Sequence, residues 1–467
     1  MTKKRFAQLM VSLVLFAASL FLIWLKELTD QEYAIMMCTH FIWLLYLLWD
    51  AERFTPFLTF TITFTLLFIG GRFWAVLFSP DDFELRRGNF FSWEEIPLDL
   101  WQPSLTYILL FLYLSSWVYI FRMEKKTEGP VLSYEGTVST PVDNWLRGIF
   151  VILAGFTLYD VFDKLQTAVS GGGYLSLYLE QTEKVAAGSG LIASLLYVFF
   201  GIALVYGNKT TKRLYLVLIF IKAFVFILIG QRAKFGALLL FFLWYHFRNR
   251  NVRLFRLAIG GGASLVMLMW IASLSLREAT DDDLFTPLEL LSQFFMSQGV
   301  SLSTFTFSQQ VTDYPILPYF VSFLPGVASL YSLFTPLPAA QAAFANYLAY
   351  SLNPGLFEGG HGLGWTLLSD LYLYSGRTYA GFALLSALFG YICAYVEDKS
   401  RTSPLAATIV FAVFLNLAFL PRSGLYTIIP LIVWIVLVHY LFIECTGFKS
   451  YYNQSDTPVS EKKEDIK

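Results

Sequence analysis

Long apolar runs limit what this chain can fold into more than any other feature it has. Residues 6–25, 214–230 and 425–442 each carry at most one charged side chain. Each is about the roughly 20 residues that a helix rising ~1.5 Å per residue needs to cross a bilayer. A soluble core of this size would not need such runs, and composition agrees: 56% of residues are hydrophobic, only 14% are charged and Phe alone supplies 46 of 467. The expected fold class is all-α, a polytopic integral membrane protein of about 12 transmembrane helices with a large external loop. Residues 9–24 could instead form a signal-peptide core. Lys26 and Glu27 follow with no small-residue cleavage pattern, and many spans come later, so this run is read as the first helix.

The spans fall at about 7–25, 33–49, 54–71, 104–121, 147–162, 188–206, 214–230, 235–247, 254–274, 378–396, 403–420 and 425–443. The eighth is short and is expected to begin a turn earlier, at Arg232. Placing the N-terminus inside puts the basic clusters Lys3–Lys4–Arg5, Lys125–Lys126, Lys212–Arg213 and Arg248 to Arg256 on the internal side. It puts Asp81, Asp82, Glu94, Glu95 and Asp281 to Asp283 outside. That is the positive-inside bias, and the even count puts both termini in the cytoplasm. Four regions follow: a membrane block over 1–274, a large external loop over 275–377, a C-terminal membrane block over 378–443, and a disordered cytoplasmic tail over 444–467 rich in Asn, Ser, Glu and Lys.

A connector between two spans takes only a few residues, so the large loop asks for another purpose. Within it, residues 287–296 carry a helical apolar face, and 338–350 read as a second helix entered at a proline. Residues 316–334 are apolar enough to span but are interrupted by Pro318 and Pro325, so they span, re-enter or stay outside. The first external excursion, 72–103, carries Trp93 and Trp101 and suits a segment at headgroup level. Gly171 to Gly173 do not make a phosphate loop, because no strand precedes them and no Lys-Ser or Lys-Thr follows.

A net charge of −1 without a basic stripe argues against nucleic-acid binding. Cys38, Cys393 and Cys445 show neither a disulfide framework nor a metal spacing. No metal set and no Ser-His-Asp triad appears, and no cofactor is implied. The informative charges are those at external span ends, where an ionisable group near hydrocarbon is costly unless it pairs or lines a cavity. Arg72, Arg232, Arg377 and Arg422 meet that description, with Lys234 two residues from Arg232. A guanidinium forks across two phosphate oxygens and stays protonated when partly buried. The alternative is that these cations bind lipid headgroups or snorkel from helix ends. Lys222 lies inside the seventh span and could snorkel to the cytoplasmic side.

His361 sits in a glycine-flanked turn, with Glu358 three residues before it and Asp370 nine after. A His beside a carboxylate could take a proton from a sugar hydroxyl, because its pKa lies near neutral. The alternatives are a loop residue capping backbone groups for His361 and a salt bridge to Arg377 for Asp370. His40, His246 and His439 are isolated near or within spans and read as structural.

With those residues in view, the chain resembles the Wzy-type O-antigen or capsule oligosaccharide repeat-unit polymerases. The resemblance rests on the twelve-span layout, the large late external loop, and two local patterns. One is Gly230-Gln231-Arg232-Ala233-Lys234 with Gly236. The other is Gly362-Leu363-Gly364-Trp365 followed by Asp370, Tyr372, Gly376, Tyr379 and Gly381. It implies an enzyme of the bacterial cytoplasmic membrane, a metal-independent glycosyltransferase. Such an enzyme joins repeat units on undecaprenyl pyrophosphate at the outer face, with lipid-linked donor and acceptor as partners and a chain-length regulator and flippase as further ones. By that resemblance Arg232 and Arg422 would hold the donor pyrophosphate, while Asp370 stands where many relatives carry Glu. Pyrophosphate is already a competent leaving group. The site therefore needs cations to stabilise developing charge, here Arg232, Arg422, Arg377, Lys234 and Arg72. It also needs a base to orient the attacking hydroxyl, here His361, Asp370 or Glu358. Two other classes compete: a ligase that transfers finished glycan to a separate acceptor, and a transporter or flippase of a lipid-linked glycan.

Overall fold

A computed structural model describes residues 2–25, 27–49, 54–89, 91–124, 140–171, 189–248, 259–263, 287–332, 334–335 and 337–446. These form a helical bundle whose strands, among the described residues, are a single antiparallel hairpin, Arg87–Asn89 with Ser92–Glu95. Five helices are long and apolar enough to cross a membrane: Lys3–Leu25, Asp30–Trp49, Leu98–Glu124, Pro141–Ser170 and Tyr379–Lys399. A sixth crossing is supplied if the bent pair Pro56–Phe68 and Gly71–Phe78 is one span. Shorter apolar helices occupy Leu191–Tyr206, Lys234–Phe247, Pro404–Leu417 and Leu425–Leu441. Lys209–Leu228 is helical over the seventh expected span. The expected ninth span falls outside the described residues apart from 259–263, as do Asp281 to Asp283 and the glycines at 172 and 173.

The outermost helices are polar inward and apolar outward. In Lys3–Leu25 the buried residues are Gln8, Ser12, Ser19 and Ile23, while Phe6, Val14, Phe21 and Leu25 are exposed. Lipid tails are as apolar as leucine, so hydrocarbon accepts the outward face, and the hydroxyls must find partners within the protein. They do: Trp43 donates to Ser12 Oγ at 2.8 Å, and Ser19, His40 and Tyr113 form a chain with both links at 2.6 Å. His40 and His439, which bonds Tyr206 at 2.9 Å, are therefore structural, as the sequence suggests.

Small residues set the closest crossings. Tyr379–Lys399 lies along Leu98–Glu124 in the most extensive helix pairing of the molecule. The buried residues on its contact face include Ser386, Gly390 and Ala394, spaced by one turn. A Cβ at Gly390 would stand 2.1 Å from the Ser115 carbonyl oxygen, so only glycine lets the backbones meet. Leu98–Glu124 begins a turn and a half before the expected span. Trp101, expected at headgroup level, is instead fully buried between Tyr33 and Phe73.

The expected third span, 54–71, runs on to Phe78 but bends by 49° at its middle. The cause is a π-helical turn over Thr63–Phe68, whose frame shift frees the Thr65 carbonyl, and Trp74 Nε1 donates to it at 2.9 Å.

The large loop folds back into the bundle. Its first helix, Pro287–Gln298, packs on Gly71–Phe78. Its second, Val300–Ser308, is buried along all of Ser301 to Ser308. No charge occurs in that helix, and the hydroxyls of Ser303, Thr304, Thr306 and Ser308 bond carbonyls of the preceding turn. The interrupted stretch 316–334 is not one crossing. It forms two short helices, Leu317–Val321 and Val327–Ser332, each under about 10 Å long at 1.5 Å per residue. It leaves Ile316, Phe320, Leu324, Leu330 and Phe334 exposed. The expected helix over 338–350 is a 3-10 turn at Ala339–Gln341 followed by Phe344–Leu352.

Candidate functional site

Asp370 and Arg422, two of the expected site residues, meet at the connector between Pro404–Leu417 and the last helix. This connector is two 3-10 turns, Leu420–Arg422 and Leu425–Thr427, joined through Ser423 and Gly424. Below it lies the helix Leu367–Tyr374, entered at Thr366, whose Oγ1 accepts from Ser369 N at 3.0 Å and meets Ser369 Oγ at 2.7 Å. Ser308 of the inserted helix adds a 2.9 Å bond to the same Ser369 hydroxyl. The short helix is thereby fixed in angle and depth.

That fixing places Asp370 with no solvent exposure at all. Its Oδ1 accepts from Trp365 Nε1 at 2.7 Å, and its Oδ2 accepts from the Leu425 amide. Burial pushes the Asp370 carboxyl up to about 7, while the hydrogen bonds from Leu425 and Trp365 pull it back down. The expected salt bridge to Arg377 is not made, and both oxygens are spent on tying the connector to Trp365. A Cβ at Gly424 would stand 2.7 Å from Asp370 Oδ2 and 2.8 Å from Trp365 Cδ1, so the knot requires glycine there. Trp365 stacks on Phe344 at 5.3 Å, and Tyr314 meets both rings edge-on. Asp370 thus ties Trp365 to the connector that carries Arg422.

Arg422 is exposed at the end of the first 3-10 turn, and its Nη1 reaches Gln298 Oε1 at 3.5 Å. On the other face of the connector, Asn416, Ser423 and Thr427 line a cavity of about 230 Å³ together with Lys222 and Lys234. Arg232 opens the helix Arg232–Phe247 one turn before this cavity, as the sequence suggests; its side chain is outside the described residues.

The other expected cations sit elsewhere. Arg377 has a left-handed backbone, φ 63°, at the corner after Leu367–Tyr374. Its Nη2 donates to the Thr312 carbonyl at 2.6 Å, and Tyr107 OH donates to its own carbonyl at 3.2 Å. Arg72, expected to face a pyrophosphate, is a correction. It is 2% exposed and braces the hairpin from inside, donating to the carbonyls of Leu85, Arg87 and Gly88 and to Ser303 Oγ. Both terminal nitrogens are thus spent on the hairpin and on Ser303, which holds the guanidinium inside the fold. Glu358 is exposed at the end of the Pro354–Glu358 helix, and His361 is half-buried in the following turn, with its amide bonded to the Leu356 carbonyl at 3.0 Å. These two share a turn.

Lys222, read from the sequence as a snorkelling residue, turns inward instead. It is 7% exposed and turns into the cavity, six residues from the end of Lys209–Leu228. The signal was its charge within an apolar run. Nothing local marked Asn416, Ser423 or Thr427.

A comparison with family models matches residues 6–454 of the chain to the O-antigen polysaccharide polymerase Wzy family. The chain belongs to this family. Family members are integral membrane polymerases that act on lipid-linked oligosaccharide repeat units. The polymerase matches no curated protein and no solved structure.

Proposed function

We propose that this polymerase transfers a growing glycan from its undecaprenyl-pyrophosphate carrier to the non-reducing end of an incoming lipid-linked repeat unit, at the outer face of the bacterial cytoplasmic membrane. Arg422, Arg232 and Lys234 hold the donor pyrophosphate, and Arg377 shapes the corner where the external segment meets the bundle. His361, with Glu358 beside it, orients and deprotonates the acceptor hydroxyl. Asp370 acts through the connector. The observation that carries this reading is the knot of Asp370, Trp365 and Leu425, which locks in place a loop bearing an exposed arginine on a family-matched chain. A pyrophosphate leaves readily, so cations that stabilise developing phosphate charge and one positioned base suffice. Both termini are cytoplasmic in this reading, which the distribution of basic residues supports. The external region over 275–377 contributes the helices that seat the site.

The test is product length by gel, from protein in nanodiscs supplied with the host's own undecaprenyl-pyrophosphate repeat unit. Wild type gives a ladder, and Arg422→Ala or Arg232→Ala lowers its rate by at least tenfold. No ladder from folded, substrate-binding protein overturns polymerisation, and transfer to an added acceptor would then assign the ligase reaction. Backside attack by a hydroxyl activated at His361 predicts inversion at the anomeric carbon, and retention in the product of a defined substrate would refute that step.

A further inference from the structure

The cavity beside the connector holds an electrostatic imbalance. Lys222 lies at its back and is buried, while Lys234 stands at its mouth and is exposed. Lys234 Nζ lies 3.7 Å from the centre of the Phe226 ring, and Lys222 Nζ lies 5.5 Å from that of Tyr197. Both ammonium groups thus rest on aromatic faces. The acid that acts on both is Asp160, already bonded to Lys164 at 2.7 Å. Lys164 in turn covers Phe226 at 5.6 Å. Among the described residues, Lys222 and Lys234 therefore share the influence of one carboxylate, Asp160, which is itself paired with Lys164, while Ile219, Leu238 and Phe419 wall the cavity. A cation over an aromatic ring recovers only part of what it loses on leaving water. The first turn of Arg232–Phe247, which has no side-chain cap, ends at the same place. It adds the positive end of a 16-residue helix.

We infer that this cavity is a receptor for a phosphate oxyanion of a membrane-borne ligand, held between Lys222 and Lys234 with the Asn416, Ser423 and Thr427 side chains as its polar rim. Its volume of about 230 Å³ is below the roughly 300–1,000 Å³ that encloses a whole drug-sized ligand. It takes one compact charged group and leaves a prenyl tail and sugars outside. Resting on the functional reading above, the occupant is the carrier's diphosphate. The connector then joins the two halves of the site. Ser423 and Thr427 face the cavity, and between them the Leu425 amide is held by Asp370.

The experiment uses the full chain in phosphatidylcholine nanodiscs, with geranylgeranyl diphosphate as the probe and geranylgeraniol as its uncharged control. Wild type gains thermal stability with the diphosphate and not with the alcohol. Lys222→Met and Lys234→Met each weaken apparent affinity at least tenfold, while Lys222→Arg stays within a few-fold of wild type. Without ligand, Lys222→Met melts no lower than wild type, because it removes a buried charge whose acid, Asp160, is already paired with Lys164. Should Lys222→Met fail to fold, Lys234→Met at the exposed mouth carries the test alone. Wild-type affinity in both methionine variants overturns the proposal and removes Lys234 from the pyrophosphate contacts, while polymerisation itself, tested by the ladder, still stands. Equal stabilisation by phosphatidylglycerol nanodiscs, lost in Lys222→Met, overturns the carrier as occupant and assigns the pocket to bulk lipid phosphate. A wild-type protein that binds the probe through the lysines yet makes no ladder keeps the pocket and sinks the polymerisation reading.

Discussion

Asp370 carries a carboxyl held near pH 7 in the folded protein against an ordinary value of 3.8. Between those values the unfolded chain has released its proton and the folded one has not. The unfolded state therefore binds fewer protons, and this group's contribution to stability is full below about pH 4 and lost as pH rises to about 7. Asp370→Asn lacks the titration and also sets an amide N–H against one of two donors, Trp365 or Leu425. The expected outcome is that wild type melts above Asp370→Asn by a margin that shrinks from pH 5 to pH 8; melting curves with an unchanging margin would refute it. At this scale the sequence singled out Asp370, with a salt bridge to the nearby Arg377 as the alternative to a catalytic role. Its actual partners come from five residues before and fifty-five after, which no local pattern contains.

Among the elements, the decisive one is the pair of helices that the large loop sends into the bundle. Gly71 and Gly299 let them enter. A Cβ on Gly299 would lie 2.5 Å from Arg72 N and 2.7 Å from Arg72 Cγ, and one on Gly71 would lie 2.4 Å from the Phe295 carbonyl oxygen. Gly299→Ala is expected to cost about 1–3 kcal/mol through overpacking, seen as a melting temperature lower by a few degrees. It also shifts Arg72, and with it the 87–95 hairpin, so limited proteolysis of the hairpin speeds up. Gly155→Ala, on a glycine with nothing within 4 Å, serves as the control and leaves both readouts unchanged. The inserted helix was legible only in hindsight. Val300–Ser308 has no charge and is apolar or hydroxylated all round, which suits burial on every side. At nine residues it is too short to register as a span.

For the whole molecule, basic residues in the inter-span stretches predict a sidedness that is open to direct measurement. In a cysteine-free background, Lys462→Cys is expected to react with a membrane-impermeant maleimide only in inside-out vesicles, and Glu84→Cys only in right-side-out ones. Labelling of both from one side would overturn the topology. What the sequence alone determined was the predominantly helical membrane architecture, the family and the places of the long apolar helices. Apolar length, charge asymmetry and short motifs are local quantities, and the bilayer acts on them directly. Only the tertiary structure decided that Arg72 braces a hairpin, that Asp370 is a knot, and that Lys222 and Lys234 share a cavity. Each of those roles depends on which groups distant segments bring within about 3–6 Å, and burial there decides whether a charge serves a ligand or the fold.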